Sequence, residues 1–247
     1  MSFIETMLSR YAAELRVAAE APFLAAAGKH ELSREVLSEW LTQDRAYALH
    51  GYPKFIAGLI SALPLSSPSH QTASQSLLGL FSYSIANIAR EVGFFDSLDP
   101  KYGLDLSFQP PEGKEGKLQG KRVKPLTKAY VDLLLATGAE AGRTGEGVEE
   151  GLVLLWAMER IYFNAWTFAA SHTPSPSGSS SRTDNRTSAA LTELIDNWTN
   201  AEFKEFVERI EREVEKLELK EGSEVWERCE EIFKYTLWLE QRFWPEL

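Results

Sequence analysis

The chain has 247 residues, of which 44 % are hydrophobic and 11 % aromatic, enough for one continuous core. Its 26 basic residues stand against 36 acidic ones, a formal net charge of -10 that argues against nucleic acid as a partner, because phosphate binding needs a clustered cationic footprint. The single cysteine, Cys229, excludes an internal disulfide, offers no zinc framework and reads as a packing thiol. No apolar window approaches the roughly 20 residues of a membrane span, and the amphipathic start MSFIETMLSRYAAELR lacks the features of a signal peptide, so a cytoplasmic protein is expected.

In chain order, helical spacing of apolar residues runs from Phe3 to Ala27, with Gly28 expected as a C-terminal cap. Ser33 can cap a second helix through Trp40, Leu41, Asp44 and Tyr47, where an acid and a phenol at i and i+3 share a face. Pro53 kinks or restarts the helix that continues through Phe55 and Ile60. Residues 62 to 76 read as a loop, and Leu77 to Phe95 resumes the helical period with Glu91 inside it. Asp99 to Lys124 is expected to be a flexible connection. Its Lys114 to Lys128 end is the nearest thing to a basic patch, in a Gly-rich setting that suggests a solvated loop.

Pro125 opens a helix over Lys128 to Thr137 that carries Tyr130, and Gly138 to Glu146 reads as a linker. The stretch Leu152 to Ala170, LVLLWAMERIYFNAWTFAA, is almost wholly apolar and carries Glu159, with Tyr162 and Trp166 at i+3 and i+7. An ionised carboxylate there is costly, so Glu159 either has a partner, for which Arg160 is the ordinary candidate, or lines a polar pocket. Residues 172 to 189 are low in complexity and expected to be flexible. Thr192 to Leu219 reads as a charged helix or helix pair whose stripe, including Trp198 and Phe203, is core. The last helix, Glu224 to Phe243, carries Glu240 four residues before Trp244. With no alternating β-branched segment, the fold class is all-α: one domain, a bundle of seven or eight helices.

None of the four histidines follows a carboxylate by three residues, which argues against a di-iron bundle or any other metal site. No Gly-rich phosphate loop, G-x-S-x-G elbow or Cys/His pairing is present. Carboxylates beside aromatics remain: Asp44, Glu159 and Glu240, on separate helices, suit a pocket that grips a flat, nitrogen-rich ring, although the same acids could equally cap or pair internally.

Four ordered segments carry a resemblance: Pro22 to Tyr52 with its Gln-Asp pair, PLTKAYVDLLL, LWAMERIYFNAW and LWLEQRFWPEL. Together they resemble the signatures of the TenA (thiaminase II) family. The resemblance implies a haem-oxygenase-like bundle that binds no haem, needs no cofactor, is commonly oligomeric and acts on thiamin or its pyrimidine breakdown products. It further implies that Asp44 hydrogen-bonds the aminopyrimidine, that Tyr47, Tyr130 and Tyr162 line it, and that Glu240 serves as acid/base; Trp166 completes the expected substrate wall. Met158 stands where one branch of the family has its catalytic cysteine, and a thioether cannot act as a thiolate nucleophile. The run WAMERIY looks instead like the branch that keeps a glutamate where Glu159 stands, associated with hydrolysis of aminomethyl- or formylaminomethyl-pyrimidines. Arg45, where an aromatic is common, departs from the pattern. The alternatives are a binder of a pyrimidine or related aromatic ligand that has lost the chemistry, and a DNA-linked regulator, against which the acidic charge weighs.

Overall fold

The computed structural model describes residues 1–65, 71–104, 106, 123–174 and 183–247. Among these the secondary structure is wholly helical: α1 (Phe3–Arg10), α2 (Ala12–Ala19), α3 (Pro22–Gly28), α4 (Arg34–His50), α5 (Tyr52–Ala62), α6 (Gln71–Tyr102), α7 (Pro125–Thr144), α8 (Val148–Ser171), α9 (Asn185–Thr199), α10 (Ala201–Glu215) and α11 (Glu224–Phe243). Buried residues from every helix join one continuous hydrophobic core. The central member is α8, which packs against α11, α10, α3, α9 and α2 and buries every side chain from Leu152 to Met158. Being apolar all round, it belongs inside the bundle rather than on its surface.

Seven or eight helices was too few, chiefly because the expected Phe3 to Ala27 helix is three. Ser2 and Glu5 close a capping box on α1, and the chain then breaks at Tyr11 and again before Pro22. Proline disfavours helical geometry in the residue before it, and Ala21 is extended with φ -64 and ψ 149. Pro22 also has no N–H for the Ala18 carbonyl, which instead accepts from the indole of Trp244 at 2.7 Å, tying the N-terminal helices to the end of the chain.

Other boundaries move too. The helix expected over Leu77 to Phe95 is longer, taking in Gln71 and running past Asp99 to Tyr102, with Pro100 in its last turn. Gly138 lies inside α7 rather than in a linker; the left-handed Gly145, with φ +74, ends that helix. The Thr192 to Leu219 pair is α9 and α10, broken at Asn200, whose side chain accepts from Phe203 N at 2.8 Å. Residues 105, 107–122 and 175–182 of the two expected flexible connections lie outside the described residues, and with them the basic run from Lys114 to Arg122. Of its remainder, Lys124 pairs with Glu39 at 2.8 Å and Lys128 stands in α7 rather than a loop, while the second connection gives way to α9 at Asn185.

Gly28 is not a cap either. It ends α3 where a Cβ would stand 2.0 Å from the Ala169 carbonyl oxygen, so α3 and α8 touch backbone to backbone. Helices α5 and α7 meet the same way: a Cβ on Gly58 would lie 2.0 Å from Gly138 O, and one on Gly138 would lie 2.7 Å from Phe55 Cα. These contacts hold α3 against the C-terminal end of α8 and α5 against α7.

Gly58→Ala and Gly138→Ala should each destabilise the fold by about 1–3 kcal/mol through overpacking. At Gly93, in α6, a Cβ would have nothing within 4 Å of it, so Gly93→Ala should gain about 0.5–1 kcal/mol from helix propensity. Urea unfolding reads all three, and a similar small effect at each would mean that α5 and α7 do not meet at their backbones.

Candidate active site

Helices α4 to α11 enclose a cavity of ≈ 270 Å³ to which each contributes at least one side chain. Asp44 and Tyr47 come from α4, Tyr52 from the first turn of α5, Glu91 from α6 and Tyr130 from α7. Met158, Glu159 and Tyr162 come from α8, Trp198 and Phe203 from α9 and α10, and Glu240 with Phe243 from α11. The helical spacings expected from the sequence put Asp44 and Tyr47 on one face, and Glu159 and Tyr162 on another, and both faces look into this space.

Five carboxylates line it: the exposed Glu202, paired with Arg90 at 3.0 Å, and four more, each answered by an aromatic donor from another helix. Tyr162 Oη donates to Asp44 Oδ2 at 2.9 Å, Tyr52 Oη to Glu159 Oε1 at 2.6 Å and Tyr130 Oη to Glu240 Oε1 at 2.5 Å. Trp198 Nε1 donates to Glu91 Oε1 at 2.6 Å, and Asn197 Nδ2 adds a contact to Oε2 at 3.2 Å. The remaining phenol, Tyr47, donates to the Met158 sulfur at 3.1 Å. Its ring centroid lies 4.9 Å from that of Tyr130 and 6.4 Å from that of Tyr52, so a row of phenols runs between Glu240 and Glu159.

Burial drives the acid strengths. It pushes Glu159 up to about 7, with the Tyr52 hydrogen bond pulling the other way and the charge of Glu91 adding to the rise. Glu240 goes to about 8 for the same reason, opposed by Tyr130 and helped by the charge of Glu159. Asp44 is raised well above the carboxylate range by burial, despite its bond from Tyr162. One atom stands out: Glu240 Oε2 is buried with no hydrogen-bond partner, on a side chain only 3 % exposed. A buried polar atom of this kind is available to a ligand.

Two expectations are corrected. Arg160 does not partner Glu159; it pairs with Glu211 at 3.0 Å, and the pocket reading of Glu159 is the one the geometry supports. Trp166 does not line the cavity: it is fully buried behind the wall, its ring 4.5 Å from that of Trp198 and 6.2 Å from that of Tyr162. Trp198 and Phe203, read as core stripe, reach the lining, and so do Glu91 and Tyr52. A signal for Glu91 was present, since Phe94 follows it at i+3 just as Tyr162 follows Glu159. Arg45 lies off the cavity wall, its guanidinium bound to Asp96 at 2.8 Å. Among the described residues, no group of three or more His, Cys, Asp or Glu is placed to hold a metal ion, and no helix is long and apolar enough to cross a membrane.

Residues 17–247 match the family described as TENA/THI-4/PQQC. The fold is similar to that of a TenA homologue from Pyrococcus furiosus, with a TM-score of 0.74 and 24 % identity over 98 % of both chains. It is also similar to a TenA family transcription regulator from Silicibacter sp. TM1040, with a TM-score of 0.70 and 16 % identity over 98 % of this chain and 94 % of that one. A curated relative from Fusarium pseudograminearum, called a probable transcription factor, is 24 % identical over 91 % of this chain; the match spans 48 % of that protein, about half its length.

The buried acids make stability depend on pH. Glu159 and Glu240 bind their protons more tightly folded than unfolded, so their contribution is complete below the ordinary carboxylate value of 4.5 and is lost as pH rises through about 7 and about 8. The melting temperature should therefore fall between pH 5 and pH 8, and Glu240→Gln, which cannot ionise, should flatten that fall. A variant curve parallel to the wild-type one would show that Glu240 is not held neutral.

Proposed function

Because the chain belongs to the TENA/THI-4/PQQC family, which includes aminopyrimidine aminohydrolases, we propose that it hydrolyses a C–N bond of a thiamin-derived aminopyrimidine, the aminomethyl or formylaminomethyl compound. The observation that carries this reading is the pair Glu159 and Glu240, two buried acids raised to about 7 and about 8, one with an oxygen that no protein group satisfies. General acid–base catalysis works best when the group's pKa lies near the working pH. Met158 in the place of the cysteine favours the branch that relies on glutamate, since a thioether has no proton to lose.

The roles follow from the environments. Asp44 and Tyr162 hold the flat ring by its N–H groups and ring nitrogens, with Tyr47 and Tyr130 along its faces and edges. Glu240, the weaker acid, keeps a proton at neutral pH and gives it to the departing nitrogen. Glu159, more readily ionised, takes the proton of the attacking water. Water oxygen bonds to carbon, the C–N bond breaks, and the amine leaves with the proton from Glu240. The next water then restores both carboxyls by proton exchange.

A second reading is favoured by the same Met158: a binder that keeps the aromatic pocket without chemistry. Two relatives carry names of transcription regulators, which suits a ligand-sensing role, though one of those proteins is about twice as long as the part matched here. Direct DNA contact fits poorly with the net charge of -10.

Incubation with thiamin, aminomethyl-pyrimidine and its N-formyl derivative, followed by mass spectrometry, separates these readings. Release of product from the breakdown compounds, with thiamin barely touched, is the expected result. Glu240→Gln and Glu159→Gln should fold and lose about 10²- to 10⁴-fold in turnover. Ligand-raised melting temperature without product would give the binder reading precedence, and full turnover in both variants would remove the acid–base assignment.

A further inference from the structure

Two large rings stand outside the core. Tyr235 and Trp238 on α11 are 45 % and 44 % exposed, the only aromatic side chains so open among the described residues. Single exposed apolar residues are ordinary, but these two lie one turn apart with ring centroids 6.1 Å from each other, and α2 runs alongside them. On α2 the exposed Ala13 and Val17 share an outer face, and Gln241 Nε2 donates to Glu14 O at 3.1 Å, which lays that helix beside the end of α11. The inner face of the same stretch of α11 carries Glu240 and Phe243 to the cavity.

The exposed side chains of α11 recur at steps of four and three: Glu231, Tyr235, Trp238 and Arg242. That is the spacing of a seam along which two helices meet. Its charges are separated along the axis, with Glu231 at one end, Arg242 at the other and both rings between them. Neither charge is answered within the chain. The Glu231 side chain takes part in no ion pair or hydrogen bond among the described residues. Arg242 donates to Trp238 O at 3.1 Å and to Gln241 Oε1 at 3.5 Å, with its guanidinium 4.5 Å from the Trp238 ring, and meets no carboxylate. Arg228 on the same helix differs, holding both Glu150 and, at 2.9 Å, Glu224.

We propose that this face docks on the same face of a second copy of the chain, the two α11 helices antiparallel about a two-fold axis that passes between Tyr235 and Trp238. A two-fold contact needs a surface complementary to itself, so that if one residue meets another, the second also meets the first. Antiparallel pairing in this register satisfies that condition with both kinds of group: Tyr235 falls opposite the partner's Trp238, and Glu231 falls opposite the partner's Arg242. Parallel pairing would set each charge against its like. Tryptophan, tyrosine and arginine are also the side chains in which interface energy concentrates. From Glu231 to Arg242 the seam spans about three turns, less than the roughly 800 Å² per partner that a stable interface buries, and the outer face of α2 supplies the flank. Charge decides the occupant. An anionic lipid surface would answer Arg242 and repel Glu231, whereas a second copy answers both.

The contact is independent of what the cavity binds, and sedimentation of the intact chain over about a hundredfold range of concentration tests it. Wild type should sediment as a dimer or a multiple of one. Glu231→Arg and Arg242→Glu each bring like charges together across the axis, and each should weaken self-association by at least about tenfold. The double variant exchanges the two charges and should return to within about threefold of wild type, a recovery that a merely misfolded chain would not show. A wild-type chain that stays monomeric at the highest concentration overturns the proposal. So does association that either single reversal leaves unchanged, and so does a double variant as weak as the single ones.

Discussion

The interior of this bundle is organised by the need to keep carboxylates where water is scarce. Taking an ionised carboxylate out of water costs several kcal/mol even after the surroundings relax. Here the cost is met in two ways, by an aromatic donor on each acid and by holding protons above the ordinary carboxylate range on Asp44, Glu159 and Glu240. Every donor comes from a different helix than its acid. The hydrogen bonds Tyr162 to Asp44, Tyr52 to Glu159 and Tyr130 to Glu240 thus tie α8 to α4, α5 to α8, and α7 to α11. The polar groups that define the site are also fasteners between elements, so displacing one helix would unmake several acid–donor pairs together.

Close helix contact makes this possible. Glycines at 28, 58 and 138 let α3 meet α8 and α5 meet α7 without side chains between them. Tyr52 and Tyr130 stand on the pair α5 and α7. The wall that includes Glu91, Trp198 and Phe203 is made by α6, α9 and the start of α10. On the α5–α7 side the helices meet at their backbones, and on the other they meet through side chains, as Phe94 does with Trp198.

Much of this was legible in the sequence, for a physical reason. Helical period is a strong local signal, and it placed Asp44 with Tyr47 and Glu159 with Tyr162 on faces that do look inward. What the period cannot carry is pairing across helices. The phenol that bonds Asp44 is Tyr162 and the one that bonds Glu159 is Tyr52, neither on the acid's own helix. Trp166 was misplaced because seven residues bring a side chain back to nearly the same face but two turns along, and there the wall is already filled by Tyr162 and Trp198. Helix ends were missed where tertiary contact outweighs composition: Gly138 punctuates nothing because α5 presses against it, and Gly28 is used for proximity to α8 rather than for a left-handed cap.

Met158 shapes the cavity through its neighbour Tyr47, whose hydroxyl donates to its sulfur at 3.1 Å. Three of the phenols lining the cavity donate to carboxylates, which hold them firmly by strong acceptors. Tyr47 donates to a thioether, a weak acceptor, so its hydroxyl can turn to a ligand at the smallest loss. It sits between Tyr130 and Tyr52, the donors to Glu240 and Glu159, and its own ionisation is driven far out of range by burial and by both acids. Tyr47 therefore acts as a neutral hydroxyl, able to donate or accept but not to become a base. The groups whose acid strength burial brings near the physiological range are therefore carboxylates, Glu159 and Glu240, and not the phenol between them.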